Sequence, residues 1–313
     1  MAAARASPTT PRPPALLPSA SVTIRPGGVG IWSGALRFGD AGEIVDAAAE
    51  LEDAGYSSLW IPDTGGDVIG ALRRLLDATG SATVATGILN LWMHSATDVG
   101  VGLAGLDADH PGRTLLGIGV SHALLIDREE PGRYRQPLRV MAGYLDELDR
   151  SRPGVPADRR VLAALGPRML ELSRDRTAGA HPYLVNPEHT RFARGVLGPD
   201  PLLVPEQAVV LEPDPAAARD VARGHLATYL RLPNYVNNLL RTGFTEEDVA
   251  NGGSDRLVDG IVAWGDEAAI AARIRAHFDA GADHVCVQVL AADGSAGLPR
   301  AEWRTLAPAL TAG

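Results

Sequence analysis

The chain has 313 residues, 45% of them hydrophobic and 21% charged, with a formal net charge of −9. That length allows two ordinary domains or one (β/α)8 barrel. The acidic balance argues against a nucleic-acid partner, and no apolar run is long enough to span a bilayer, so no membrane association is expected. All 29 basic residues are arginine. Chemistry that needs a lysine is therefore excluded: Schiff-base aldolases, pyridoxal-phosphate enzymes and P-loop nucleotide hydrolases.

Residues 1–26 are rich in Ala, Pro, Ser, Thr and Arg and contain no acid. Pro8, Pro11, Pro13, Pro14 and Pro18 interrupt both a signal-peptide core and an amphipathic transit helix, which predicts a disordered tail followed by one domain over 27–313. The pattern then alternates short β-type runs with amphipathic helices. A strand Val29 to Trp32 leads to a helix from about Asp40 to Ala54, with Ile44, Val45, Ala48 and Leu51 on one face. A second strand, Ser58 to Ile61, stops at Pro62-Asp63, and a helix follows from about Asp67 to Ala78. The third strand, Ala82 to Leu91, carries Gly87 in its interior and precedes a helix from about Ala96 to Ala108. The fourth, R-T-L-L-G-I-G-V-S-H from Arg113 to His122, ends in two glycines and two hydrogen-bonding side chains. An irregular charged segment, Leu124 to Gln136, precedes a helix from Pro137 to Asp149 with proline at its first position.

The second half keeps the rhythm. A fifth strand, Arg160 to Leu165, runs straight into Gly166-Pro167 and a helix. A sixth, Ala180 to Val185, is followed by a helix from Pro187 to Val196, and a seventh, Leu202 to Leu211, by a helix from Pro215 to Leu230. A long mixed insertion spans Pro233 to Val262. The helix Asp266 to Ala280 leads into an eighth strand, His284 to Leu290, and a helix near Glu302 to Leu310 closes the chain. Eight apolar strands separated by helices predict a single α/β domain, a (β/α)8 TIM barrel with insertions at the C-terminal face, with an open doubly wound sheet as the rival architecture. The lone Cys286 lies in the apolar run V-C-V-Q-V and reads as a small core residue. One cysteine forbids an internal disulfide or a CxxC site and fits a reducing cytoplasm.

In a barrel the chemistry sits after the strands, which selects Trp32, Ser33, Asp63, Thr64, Asn90, Trp92, Ser121, His122, Gly166, Arg168, His181 and Tyr183. Gly166-Pro167-Arg168-Met169 has the local form of an anion seat: proline sets the first helical φ, glycine admits a close ligand, and the first-turn amides point outward at the positive end of the helix dipole. An ordinary tight βα turn has the same sequence form. Gly87 marks either a bulge with a group in close approach or a weak strand. His122 is placed for proton transfer, for a hydrogen bond to a ligand or for a loop cap. No HExxH, H-x-H or Cys/His cluster points to a metal, no G-x-S-x-G to a nucleophilic serine, and no Rossmann fingerprint to NAD.

T-G-I-L-N-L-W, then G-R-T-L-L-G-I-G-V-S-H, then R-Y-R-Q-P-L, and later V-L-A-A-L-G-P-R-M-L-E-L, G-A-H-P-Y-L-V and A-G-A-D-H-V-C-V-Q-V-L, resemble in sequence and order the luciferase-like monooxygenase superfamily. The likeness is to its branch that uses the deazaflavin coenzyme F420. It implies a barrel holding a flavin-like cofactor at the strand C-termini, with a strand-three bulge, often a non-proline cis peptide, at Thr86-Gly87-Ile88. It implies ring contacts from Asp63, Gly87, Ile88, Asn90, Ser121 and His122, a phosphate seat over Leu165, Gly166, Arg168 and Met169, a small organic substrate and a homodimer. Relatives that oxidise sugar phosphates carry a histidine directly after the strand-two aspartate, whereas Thr64 stands here, so that substrate and its general base do not carry over. Three functions follow in order: an F420-dependent oxidoreductase, an FMN-dependent monooxygenase with a separate reductase, and a barrel that binds a ligand without catalysis. The substrate pocket is expected to come from Leu124 to Gln136 and Pro233 to Val262.

Overall fold

The computed structural model describes residues 24–312. Six parallel strands pair in succession: Val29–Trp32, Ser58–Ile61, Thr83–Thr86, Thr114–Gly119, Arg160–Leu162 and Gly179–Ala180. The seventh segment closes the ring. Its first part, Leu202–Leu203, pairs with Gly179–Ala180, and beyond Pro205 its second part, Glu206–Val210, pairs with the eighth strand Val285–Val289. That strand pairs back on the first, Val29 opposite Val285, so the sheet is the expected (β/α)8 barrel and has no open end.

Alternation along the strands divides the core. Trp32, Trp60, Ala85, Leu115, Val161, Val204 and Cys286 meet inside the barrel, and His181 stacks on Trp60 with ring centroids 4.4 Å apart. Outward residues such as Ile31, Leu59 and Val285 pack under the helices Ala41–Asp53, Val68–Ala78 and Arg300–Leu310. Each buried aliphatic side chain contributes about 1.5–3 kcal/mol, which is what holds the helical layer on the sheet. The helices begin where short polar side chains accept first-turn amides: Asp40 from Gly42 and Glu43, Ser95 from Asp98, Asp266 from Ala269. Val45, expected on the inner face, is 39% exposed.

Several boundaries differ from the sequence reading. The fifth and sixth strands end at Leu162 and Ala180 rather than Leu165 and Val185; Pro182 has no amide for the ladder, and Leu184 adopts φ 58. The segment read as irregular contains the helix Ala123–Glu129. The mixed insertion consists of the helices Pro233–Arg241, Glu246–Val249 and Asp255–Ile261, followed by a short strand Ala263–Trp264 that pairs with Val209 and Val210. Tyr235 and Leu239 give the first of these helices a buried face at helical spacing, and caps at Thr245 and Ser254 define the other two. The predicted tail lies outside the described residues except for its end, where Ile24 is buried and Arg25 donates to the Asp200 carbonyl at 2.8 Å.

Candidate active site

Strand three breaks at its C-terminal end. The Gly87–Ile88 peptide is cis and the chain resumes as the short strand Leu89–Asn90, which pairs with Ile118 and Gly119 of strand four. The glycine is required by a neighbour, not by open space. A Cβ at Gly87 would lie 2.4 Å from Nε1 of Trp32, which donates to the Gly87 carbonyl at 2.7 Å, and 3.0 Å from Nε2 of His181. A Cβ at Gly117 would likewise meet the Thr86 carbonyl at 2.1 Å. The strand-four glycines thus accommodate the returning strand-three backbone and the Ile88 side chain.

His181 is buried, and its Nδ1 lies 2.7 Å from the Val204 carbonyl. A carbonyl only accepts, so Nδ1 carries the proton and Nε2 presents a lone pair, with no partner among the described residues. Burial lowers its pKa to about 4, which keeps the ring neutral. Above it, Tyr183 donates to Oε1 of Gln288 at 2.8 Å and lies 2.9 Å from the hydroxyl of Tyr229. Glu206 is the second unusual group here. Its Oε2 accepts from the Leu184 amide at 3.0 Å, its Oε1 has no partner among the described residues, and burial lifts its pKa to about 8, so it is a neutral acid at pH 7.

The insertion helix Pro233–Arg241 reaches the exits of strands four and five. At one end His122 Nδ1 donates to Oδ1 of Asn234 at 3.1 Å, and its ring centroid is 5.2 Å from that of Tyr235. Burial lowers the His122 pKa, and the Asn234 contact opposes this. At the other end, the atoms nearest a Cβ built on Gly166 are the Arg241 guanidinium nitrogens, 3.9 and 4.0 Å away. Gly166 is the N-cap of Pro167–Arg176 and supplies no capping side chain. Pro167 has no N–H and the Met169 amide turns back to the Gly166 carbonyl at 3.1 Å. The amides of Gly166 and Arg168 have no acceptor among the described residues, and a cation lies beside them. His189 donates through Nε2 to the Leu165 carbonyl at 2.9 Å and fixes the residue before the turn.

The sequence-selected residues separate into groups. Trp32, Gly87, His181 and Tyr183 come together at the barrel mouth. Ser121, at φ 54, and His122 face the insertion helix, with the Tyr134 hydroxyl 3.4 Å from the Ser121 carbonyl. Asp63 is a brace: its enclosed carboxylate accepts from the amides of Gly65 and Asn90 at 3.2 and 3.0 Å and from His94 Nε2 at 2.9 Å. Asn90 is buried and its Oδ1 accepts from the Trp92 amide. The Arg168 side chain is exposed, and Met169 packs on the core beneath it. Sequence reasoning missed Glu206, Arg241, Gln288 and His94. Only His94, four residues past Asn90, had a local signal, as a polar residue just beyond a strand end.

A closed barrel whose polar and strained residues gather at the C-terminal strand ends is a (β/α)8 protein of the ligand-binding, catalytic kind. The profile of the luciferase-like monooxygenase family matches residues 21–284, and the chain belongs to that family of enzymes. No curated protein matches it by sequence. Among solved structures, an F420-dependent secondary alcohol dehydrogenase in complex with an F420-acetone adduct superposes with a TM-score of 0.68 at 13% identity, covering 91% of this chain and 98% of that one. The coenzyme F420 dependent tetrahydromethanopterin reductase from Methanopyrus kandleri gives 0.65 at 14% identity, covering 90% and 96%. The oxygenating constituent of 3,6-diketocamphane monooxygenase from Pseudomonas putida, in complex with FMN, gives 0.65 at 12% identity, covering 91% and 97%. At these identities the likeness concerns the fold, which is shared by deazaflavin and flavin enzymes.

Proposed function

We propose that the chain is an F420-dependent oxidoreductase acting on a small organic substrate. The observation that carries this reading is the seat at Gly166: two outward amides at a helix N-terminus with the Arg241 guanidinium beside them, matched to the phosphate on the ribityl chain of a flavin or deazaflavin cofactor. The order of F420-branch motifs along the sequence favours the deazaflavin. An unpartnered lone pair on buried His181 next to Gly87 supplies an acceptor at the barrel mouth, consistent with a polar ring edge there.

When bound, the deazaflavin supplies hydride chemistry; the protein's part is to bind, orient and exclude water. Gly166, Arg168 and Arg241 hold the phosphate. Trp32, pinned to the Gly87 carbonyl, forms a rigid wall at the strand-three end. Tyr235 and Asn234 cover the strand-four exit and hold His122 in one tautomer, leaving its Nε2 for a ligand. Titration of the purified protein with F420 and, separately, FMN, followed by cofactor fluorescence, tests the reading. Tight binding of F420 alone is expected. Binding of FMN alone would replace it with the flavin monooxygenase, and binding of neither would leave a barrel without this chemistry.

A further inference from the structure

A groove of about 570 Å³ opens at the C-terminal ends of strands one and eight, between Trp32 and the helix Pro215–Tyr229. It does not involve the two segments that sequence reasoning assigned to the substrate pocket. It adjoins the strand-three end through a single side chain, because the Trp32 indole that lines it also donates to the Gly87 carbonyl.

Gln288 and His225 supply amide and imidazole groups to the groove, and Ser33 and Ser295 add hydroxyls. Gln288 lines it, and its Oε1 already accepts from Tyr183, which leaves the amide N–H groups as donors. His225 lines it too, with a buried Nε2 that has no partner among the described residues, and burial keeps the imidazole neutral. A buried polar nitrogen without a partner is costly unless a ligand or water meets it. Val221, Leu290 and Pro299 supply apolar wall. Among the described residues, the only charged ones lining the groove are Asp220 and Asp293 and no arginine lines it; the chain has no lysine. An anionic ligand would enter with no counter-charge and with like charge at the wall.

We infer that this groove is the substrate seat and takes an uncharged, mainly apolar ketone or alcohol whose oxygen is met by the Gln288 amide and the His225 imidazole. The word substrate rests on the oxidoreductase reading; the binding site itself does not. The test is therefore made on cofactor-free protein. Ligand-observed NMR titration compares cyclohexanone, methyl hexyl ketone and sec-octyl alcohol with the matched anions cyclohexanecarboxylate and octanoate. The uncharged set is expected to bind and the carboxylates not. His225→Phe, which keeps the ring volume, is expected to weaken binding by about threefold to tenfold, the value of one hydrogen bond. Ala292→Arg, placing a cation in the lining, is expected to admit octanoate. Carboxylates binding as well as ketones, ketone binding unchanged by His225→Phe, or octanoate still excluded by Ala292→Arg, with the folded state of each variant verified by circular dichroism, would overturn the assignment. F420 binding without ketone binding defeats this inference alone, and ketone binding without F420 defeats only the cofactor reading.

Discussion

Replacing Glu206 with glutamine measures what the barrel spends to hold a buried acid. Glu206 is 1% exposed, with one internal donor, the Leu184 amide, and one oxygen without a partner among the described residues. Burial raises its pKa from 4.5 to about 8, and the Leu184 hydrogen bond offsets only part of that. Because the folded-state value is the higher one, the folded protein keeps a proton that the unfolded chain has released between those two pH values. The group's contribution is complete below pH 4.5 and is lost as pH rises through about 8. At about 1.4 kcal/mol per unit, that gap bounds the loss at about 5 kcal/mol. Glutamine does not titrate, and its carbonyl still accepts from Leu184, so the difference between the two proteins isolates the acid. Urea unfolding at a series of pH values from about 5 to about 8 should show the variant gaining on the wild type as pH rises, by on the order of 1 kcal/mol per unit. A difference that stays constant across the range would mean that Glu206 ionises normally in the fold and that its burial has been misjudged.

Acid should also destabilise the protein. Burial lowers the pKa of His181, His189 and His225 to about 4 and of His277 and His284 to about 3, so the folded chain resists the protons that the unfolded chain accepts below 6.5. The histidine contribution is full above that value and falls as pH drops from it towards about 4, outweighing the opposite and smaller change from the single Glu206; a melting temperature unchanged between about pH 7 and about pH 5 would contradict this. Gly87→Ala puts a methyl group where the Trp32 indole sits, and displacing the ring should cost about 1–3 kcal/mol in denaturant unfolding and shift tryptophan emission. Unaltered emission and stability would show that the close approach is not enforced. Arg241→Gln removes a charged contact from an exposed side chain, so F420 affinity should fall by roughly tenfold to a hundredfold with unfolding unchanged. Equal affinity in a fluorescence titration would rule out the anion seat at Gly166.

The parts of this protein that were legible in the sequence are those set by neighbours in the chain. Short apolar runs and 3.6-residue patterns locate the barrel strands and the longer helices, Asp40, Ser95 and Asp266 start helices by capping them, and Gly166-Pro167 shapes a helix entrance by backbone restrictions alone. The four-residue insertion helix Glu246–Val249 has too few turns for such a pattern. What the tertiary structure decided depends on residues that meet only after folding. Closure of the ring joins Val29 to Val285. Gly87 is required by Trp32, 55 positions away. Arg241 reaches Gly166 from an insertion without a motif, and Glu206 becomes a neutral acid only when its strand is enclosed on every side. Burial and long-range contact set those charges and approaches, and neither is a property of any local stretch of chain.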